Sequence, residues 1–175
     1  MATYTIDPLH SEVLFKVKHL MISTVTGSFG KYNGTITAEN EDLSDAKFAF
    51  EAEIDSISTN NEQRDGHLKS PDFFDSEKHP HLSFKSTKVE KKSDSDYVLH
   101  GNLTIKDVTK PVSLSVEFGG IGKDPWGNTK AGFNVEGKIN RKDFGLNWNA
   151  ALETGGVLVS EEVKLSASIQ LAKQA

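Results

Sequence analysis

Apolar and polar residues alternate with a period of two along eight stretches of the chain, the pattern of strands with one buried and one wet face. Val13, Phe15, Val17 and His19 share one face, against Glu12, Leu14, Lys16 and Lys18. Tyr32, Gly34, Ile36 and Ala38 repeat the pattern, and Ala46, Phe48, Phe50, Ala52 and Ile54 stand opposite Lys47, Ala49, Glu51 and Glu53. Leu82 and Phe84, then Tyr97, Leu99, Gly101, Leu103 and Ile105, mark the fourth and fifth strands. Lys110-Pro111 opens a sixth along Val112, Leu114, Val116 and Phe118. Ala131, Phe133, Val135 and Ile139 make a seventh, and Val163, Leu165, Ala167, Ile169 and Leu171 an eighth.

Most of these strands are linked by short turn-forming runs, such as Gly119-Gly120 and Lys123 to Asn128, so neighbours run antiparallel. Two connections are long, Asn60 to Pro80 and Asn140 to Glu161. Thr59-Asn60-Asn61-Glu62 has capping-box spacing and Pro71 is a stop, which predicts one short helix over Gln63 to Ser70, after the third long strand. The second connection, rich in Gly and Asn, reads as loop. No internal repeat or linker divides the chain, so residues 1–175 are read as one all-β domain. Eight half-buried strands hide their edges most simply in an eight-stranded antiparallel barrel, with a two-sheet sandwich as the alternative.

Most of the ten Phe fall on the apolar faces and point inward. A barrel of eight strands is just wide enough either to be filled by side chains or to hold one small ligand. The lining expected of a cavity is Phe15, Val17, Phe48, Phe50, Leu82, Phe84, Leu99, Leu103, Val116, Phe118 and Phe133, with Phe29 beside them and Phe73, Phe74 and Trp148 at a lid or mouth. Gly34, Ala38, Ala46, Ala52, Gly101, Ala131, Gly137 and Ala167 share the inward faces and would leave volume free, unless the Phe rings fill that volume themselves. An open cavity so lined suits a hydrophobic chain better than a polar metabolite.

Charge narrows the partners: 20 Lys and Arg against 25 Asp and Glu give a net charge of −5, the wrong sign for nucleic acid. Without Cys there is no disulfide, thiolate metal site or cysteine nucleophile, and no cofactor motif is present. Apolar runs reach at most three residues, as at Leu20 to Ile22, far below the ~20 that span a bilayer as a helix. Met1 to Asp7 has no apolar signal-like core, so a cytoplasmic setting is expected.

Six His leave room for metal or acid–base chemistry. His67, His79 and His81 are the candidates for a small metal enzyme, and Asp65, His67 and Asp72 for an Asp/His hydrolase; neither set has a recognisable ligand or triad spacing. His19 lies on an apolar face, where it could anchor a ligand head group or be satisfied by a carbonyl, His10 or Ser11. The chain has only two arginines, Arg64 and Arg141, beside Asp65 and Asp143 in the long connections. Each could pin its connection through salt bridges or carbonyls, or clasp a phosphate or carboxylate head group.

Asp7-Pro8-Leu9-His10-Ser11, Phe15 to His19, Gly27-Ser28-Phe29, Ser56 to Asn61 and Arg64 to Asp75, followed by Gly101 to Lys106 and Arg141 to Gly145, resemble the YceI-like family over almost the whole chain. The resemblance implies an extended, lipocalin-like eight-stranded antiparallel barrel. It implies a cavity for a polyisoprenoid or another long lipophile such as a fatty acid or amide, a homodimer, and a binding rather than an enzymatic role.

Overall fold

The computed structural model describes residues 2–20, 22–149 and 158–174. Its strands are β1 (Ala2–Ile6), β2 (Glu12–His19), β3 (Ser23–Phe29), β4 (Tyr32–Ala38), β5 (Lys47–Glu53), β6 (Ile57–Ser58), β7 (His81–Lys91), β8 (Asp96–Ile105), β9 (Val108–Lys123), β10 (Thr129–Asn140) and β11 (Val159–Lys173), with one α-helix, α1 (Glu62–Lys69). All described strands join one antiparallel sheet that runs from β1 through β4, β5, β7, β8, β9, β10 and β11 and closes on itself, Tyr4, Thr5 and Ile6 pairing with Lys173, Ala172 and Leu171.

Eight staves result because three are broken in two. β11 pairs with β1 near its C-terminal end and with β2 further back, so β1 and β2 are one stave interrupted by a 3₁₀ turn at Pro8–His10. Asp7 caps that turn, accepting from Leu9 N at 3.1 Å and pairing with His10 Nδ1 at 2.8 Å, and Pro8 suits its first position. β3 and β4 form the second stave, and β5 and β6 the third. The closed barrel matches the alternation. β1 and β3 themselves lie outside the eight stretches that the alternation picks out, although Tyr4 and Ile6 are core residues.

Two turns move. Gly119-Gly120 is a bulge inside β9, not its end: Phe133 pairs with Phe118 but Gly132 with Gly120, and Gly120 sits at φ 104°, where a side chain is strained. β9 begins at Val108 rather than Lys110, because Lys106 and Asp107, at φ 54° and 65°, make a two-residue hairpin turn. Pro111 is tolerated within the strand because β9 pairs with β10 only from Ser115 onward, leaving residues 108–114 bonded on the β8 side alone. The helix starts one residue earlier than the capping-box spacing predicts. Asn61 is its cap, Oδ1 accepting from Arg64 N at 3.0 Å, and Thr59 bonds Asp65 instead.

The core follows the barrel axis. One buried cluster, with Ile54, Phe84 and Phe144, runs from the long connections down the barrel wall to Tyr97, Leu99 and Val116; a second, with Tyr4, Ile36, Leu43 and Leu171, packs the opposite end.

Candidate functional site

The two ends of the barrel are closed by different devices. At the lower end, where β4 and β7 finish and β8 and β10 begin, the connections are short and Leu43 folds in from the loop between β4 and β5. Its backbone adopts φ 60°, held as Asp45 accepts from Glu39 N and Asn40 N and as Tyr97 Oη donates to Asp42 O at 2.6 Å. At the upper end the two long connections form a roof instead of hairpins. α1 buries no residue. It is tied down at its edges, Asp65 accepting from Thr59 N and Oγ1 at 2.8 and 2.6 Å and Phe74 N donating to Leu68 O. A ring cluster joins the two connections: His67 stands edge-on to Trp148 at 4.7 Å and to Phe73 at 5.1 Å.

Under this roof lies a chamber of about 510 Å³, within the 300–1,000 Å³ of ordinary ligand sites. A second chamber of about 150 Å³ continues down the axis and shares Phe15, Phe29, Leu82 and Leu165 with the first. A third, about 70 Å³, shares Phe48, Leu99, Val135 and Ile169 with the second and ends against Leu43. The three lie end to end, and below the roof their walls are almost wholly apolar.

Of the expected lining, Phe15, Val17, His19, Phe29, Phe73, Phe74, Leu82 and Trp148 border the upper chamber. Phe50, Phe84 and Leu103 border the middle one, and Phe48, Leu99, Val116 and Phe133 the lower. Phe118 borders none of the three. It stacks on Phe133 at 5.0 Å and meets Tyr97 edge-on at 5.9 Å, so it is wall rather than lining. The inward glycines do not open the bore either: a Cβ on Gly101 would meet the Phe84 ring, one on Gly27 the Phe15 ring, and one on Gly34 the Ile6 side chain.

The alternation does not single out the polar rim of the upper chamber, made by Thr59, Asn61, Gln63, Arg64, His67 and Arg141. Arg141 is 3% exposed and makes only carbonyl contacts: Nε to Ser160, Nη1 to Leu146 and Trp148, and Nη2 to Val159, at 2.5–3.2 Å. It thereby fastens the start of the second connection to its end, a role Asn149 shares by exchanging two hydrogen bonds with Val159. Burial lowers the pKa of its guanidinium, opposed by the field of Glu161. Arg64 donates from Nε to Thr59 Oγ1 and from Nη2 to Thr59 O, both at 2.8 Å. Carbonyls and a hydroxyl hold both arginines; neither pairs with its flanking aspartate. Residues 150–157 of the second connection lie outside the described residues.

His19 faces the upper chamber from the end of β2, and no described residue hydrogen-bonds its ring. Its suggested partners are engaged elsewhere, His10 with Asp7 and Ser11 with the Gln170 backbone. The remaining histidines do not converge. His67 Nε2 lies 2.9 Å from Asp72, His79 Nδ1 3.5 Å from Asp107, and His81 Nε2 3.5 Å from Glu51. Among the described residues no three His, Asp or Glu groups could hold a metal ion, and Asp65 of the suggested hydrolase set is turned to Thr59. Among the described residues no helix is long and apolar enough to cross a membrane.

Comparison with known proteins agrees with this architecture. The family model for the YceI-like domain matches residues 4–171. A UPF0312 protein of Staphylococcus aureus strain N315 is 40% identical over 173 residues, 98% of each chain. The crystal structure of the Campylobacter jejuni YCEI protein superposes with a TM-score of 0.78 at 32% identity, covering 90% of each chain. A polyisoprenoid binding domain from Saccharophagus degradans has the same fold, with a TM-score of 0.72 at 14% identity over 98% of each chain. By the span of the family match and the likeness of its barrel, this chain belongs to the YceI-like family.

Proposed function

We propose that this protein binds and carries, without chemical conversion, one long lipophilic molecule, a polyisoprenoid or a long-chain fatty acid or amide, laid lengthwise in the three chambers. The observation that carries this reading is their end-to-end arrangement, with apolar walls below and a polar rim at one end only. A chain in such a bore gains affinity in proportion to the apolar surface it hides, roughly 25 cal/mol per Å², and its head stays with the polar groups. Family membership supports the reading, as does the fold shared with a domain described as polyisoprenoid binding. The homodimer and the cytoplasmic setting expected above belong to the same proposal.

The test is native mass spectrometry of untagged protein purified without detergent, followed by solvent extraction. The expected result is a near-stoichiometric lipid in the released fraction, and a dimer mass. Protein that carries nothing and refuses added long-chain lipids would defeat the reading. Phe50→Asp places a charge in the middle chamber and is expected to lose the lipid while keeping the fold; full retention of lipid in that variant would remove the middle chamber from the binding site.

A further inference from the structure

The chain has two arginines, and both border the upper chamber. No Asp, Glu or Lys is among the described residues that border it, although 25 acidic residues make the protein negative overall. Among the described residues, the charged and titratable groups at this mouth are therefore Arg64, Arg141, His19 and His67, all cationic or able to become so. No carboxylate lies within ion-pair distance of either guanidinium among the described residues. Neighbouring acids are engaged elsewhere: Asp65 accepts two hydrogen bonds from Thr59, Asp72 lies against His67, and Glu161, whose field reaches Arg141, pairs with Lys142 Nζ at 2.8 Å.

The two guanidiniums differ in what they have left to offer. Arg141 uses four of its five N–H groups on carbonyls and is buried. A cation kept from water with no carboxylate in contact, and only the more distant field of the exposed Glu161 opposing it, raises the potential of the cavity it borders, and low-dielectric walls focus that field into the chamber. Arg64 is held in place by its two bonds to Thr59 along the Nε–Nη2 edge, which leaves the second Nη2 hydrogen and both Nη1 hydrogens without a partner among the described residues. The end-on edge, with one hydrogen from each Nη, is the geometry that receives a carboxylate or phosphate in bidentate fashion.

We propose that the mouth selects the head group of the cargo: the lipophile carried ends in an oxyanion, a carboxylate or a phosphate monoester, received by Arg64 in the field of Arg141. This rests on the carrier reading and narrows it, excluding alcohols and primary amides as preferred cargo. The chain length is read by the bore and the charge by the roof.

Competition among three ligands with one chain and different heads tests it: geranylgeranyl monophosphate, geranylgeranoic acid and geranylgeraniol, offered together to the full-length protein and read by native mass spectrometry. Both anions are expected to exceed the alcohol by about tenfold or more, the range of a charge-assisted hydrogen bond. Arg64→Gln should bring that ratio close to one, and Arg64→Lys should restore part of it. Inorganic phosphate alone, at the same concentration, is expected to leave no adduct. Head-group selection is overturned if the wild-type protein takes the alcohol as readily as the anions, if Arg64→Gln keeps the full ratio, or if free phosphate binds by itself. Refusal of all three ligands would overturn the carrier reading and this proposal together, whereas ready uptake of the alcohol overturns only the head-group claim.

Discussion

At the lower end of the barrel Leu171 is fully buried, Phe118 and Phe133 stack, and Leu43 fills what would be an opening. At the upper end the same kind of alternating strands surround about 510 Å³ of empty space. Inward apolar residues are present at both ends, so apolarity does not separate the filled half from the open one. The connections do. A short loop can deliver one side chain across the bore, as Leu43 shows. A long connection must satisfy its own backbone first, and here it does so by arching over the opening and hanging its carbonyls on a single cation. The cavity therefore belongs to the roof as much as to the strands.

The sharpest way to break this contrast is to remove the fastening of the roof. Arg141→Ala leaves the carbonyl oxygens of Leu146, Trp148 and Ser160 without this donor, and that of Val159 with Asn149 alone. At roughly 1–3 kcal/mol for each buried group left unsatisfied, partly relieved by water, the expected loss of unfolding free energy is about 3 kcal/mol or more. Arg141→Lys should recover little of it, since a point ammonium cannot fork to four acceptors. Urea denaturation measures both; a loss below about 1 kcal/mol for the alanine variant would mean that the roof is held by something else.

Next in size is a pair of truncations on one strand. Leu171→Ala, at the closed end, should cost about 3 kcal/mol, because the side chain is fully buried and borders only the narrow chamber of about 70 Å³, so its other neighbours collapse only in part. Val163→Ala, eight positions earlier on β11 and facing the open chamber, should cost less than about 1 kcal/mol, since it enlarges a space already present. Equal costs would show that the upper chamber is packed in solution.

Alternation along the chain encodes only part of this contrast. The eight staves are legible because outward Lys, Glu, Ser and Thr keep strict phase with inward apolar residues, as between Lys47 and Glu53. β3, Ser-Thr-Val-Thr-Gly-Ser-Phe, escapes because its inward positions are Val25, Gly27 and Phe29, and the gap at Gly27 is filled by Phe15 from the neighbouring strand. Gly119-Gly120 has turn chemistry and is a bulge, since a diglycine permits either and only the pairing of β10 decides. The site is legible in its apolar part, because chamber walls are strand residues with a fixed phase. Its polar rim is not, because Arg64 and His67 on α1 and Arg141 after β10 come together through connections whose path no periodicity encodes. The one available signal was compositional, the confinement of both arginines to those two connections.

A binding experiment sharpens the comparison along the axis. Ala167 projects from β11 into the middle chamber, between the open and the filled halves. Ala167→Phe should block the passage while leaving the mouth intact. Lipids short enough to stay in the upper chamber are expected to bind as before, and chains long enough to pass Phe15 and Leu165 should weaken by roughly tenfold, about the cost of losing two apolar methylene contacts. A homologous series of chain lengths measured by displacement would show it as a break in the affinity curve. An unbroken curve would mean that long chains fold back beneath the roof and never enter the bore.

The smallest expected effect concerns acid and the lower plug. Asp42 accepts from Lys91 Nζ at 2.9 Å and from Ser44 N, and these contacts, the lysine first, hold its carboxyl well below the usual carboxylate range. Asp42 in turn raises the pKa of Lys91. For the carboxyl, the folded value lies below the unfolded one, so its contribution is fully present above the ordinary carboxylate pKa of about 3.9 and is lost only as the pH falls through the depressed value. For the ammonium the order is reversed, and its contribution disappears only as the pH rises beyond the ordinary lysine range. The pair is exposed and screened by water, so the effect on global stability is small. Its local consequence is specific, because the Asp42 carbonyl receives the Tyr97 hydroxyl and the next residue is the plug itself. The Leu43 methyl resonances should therefore hold still from neutral pH down to about pH 4 and move only in stronger acid, and Asp42→Asn should abolish that movement. If they shift through the ordinary carboxylate range instead, the Lys91 contact does not anchor the plug, and the closed end of the barrel is held by the packing of Leu43 alone.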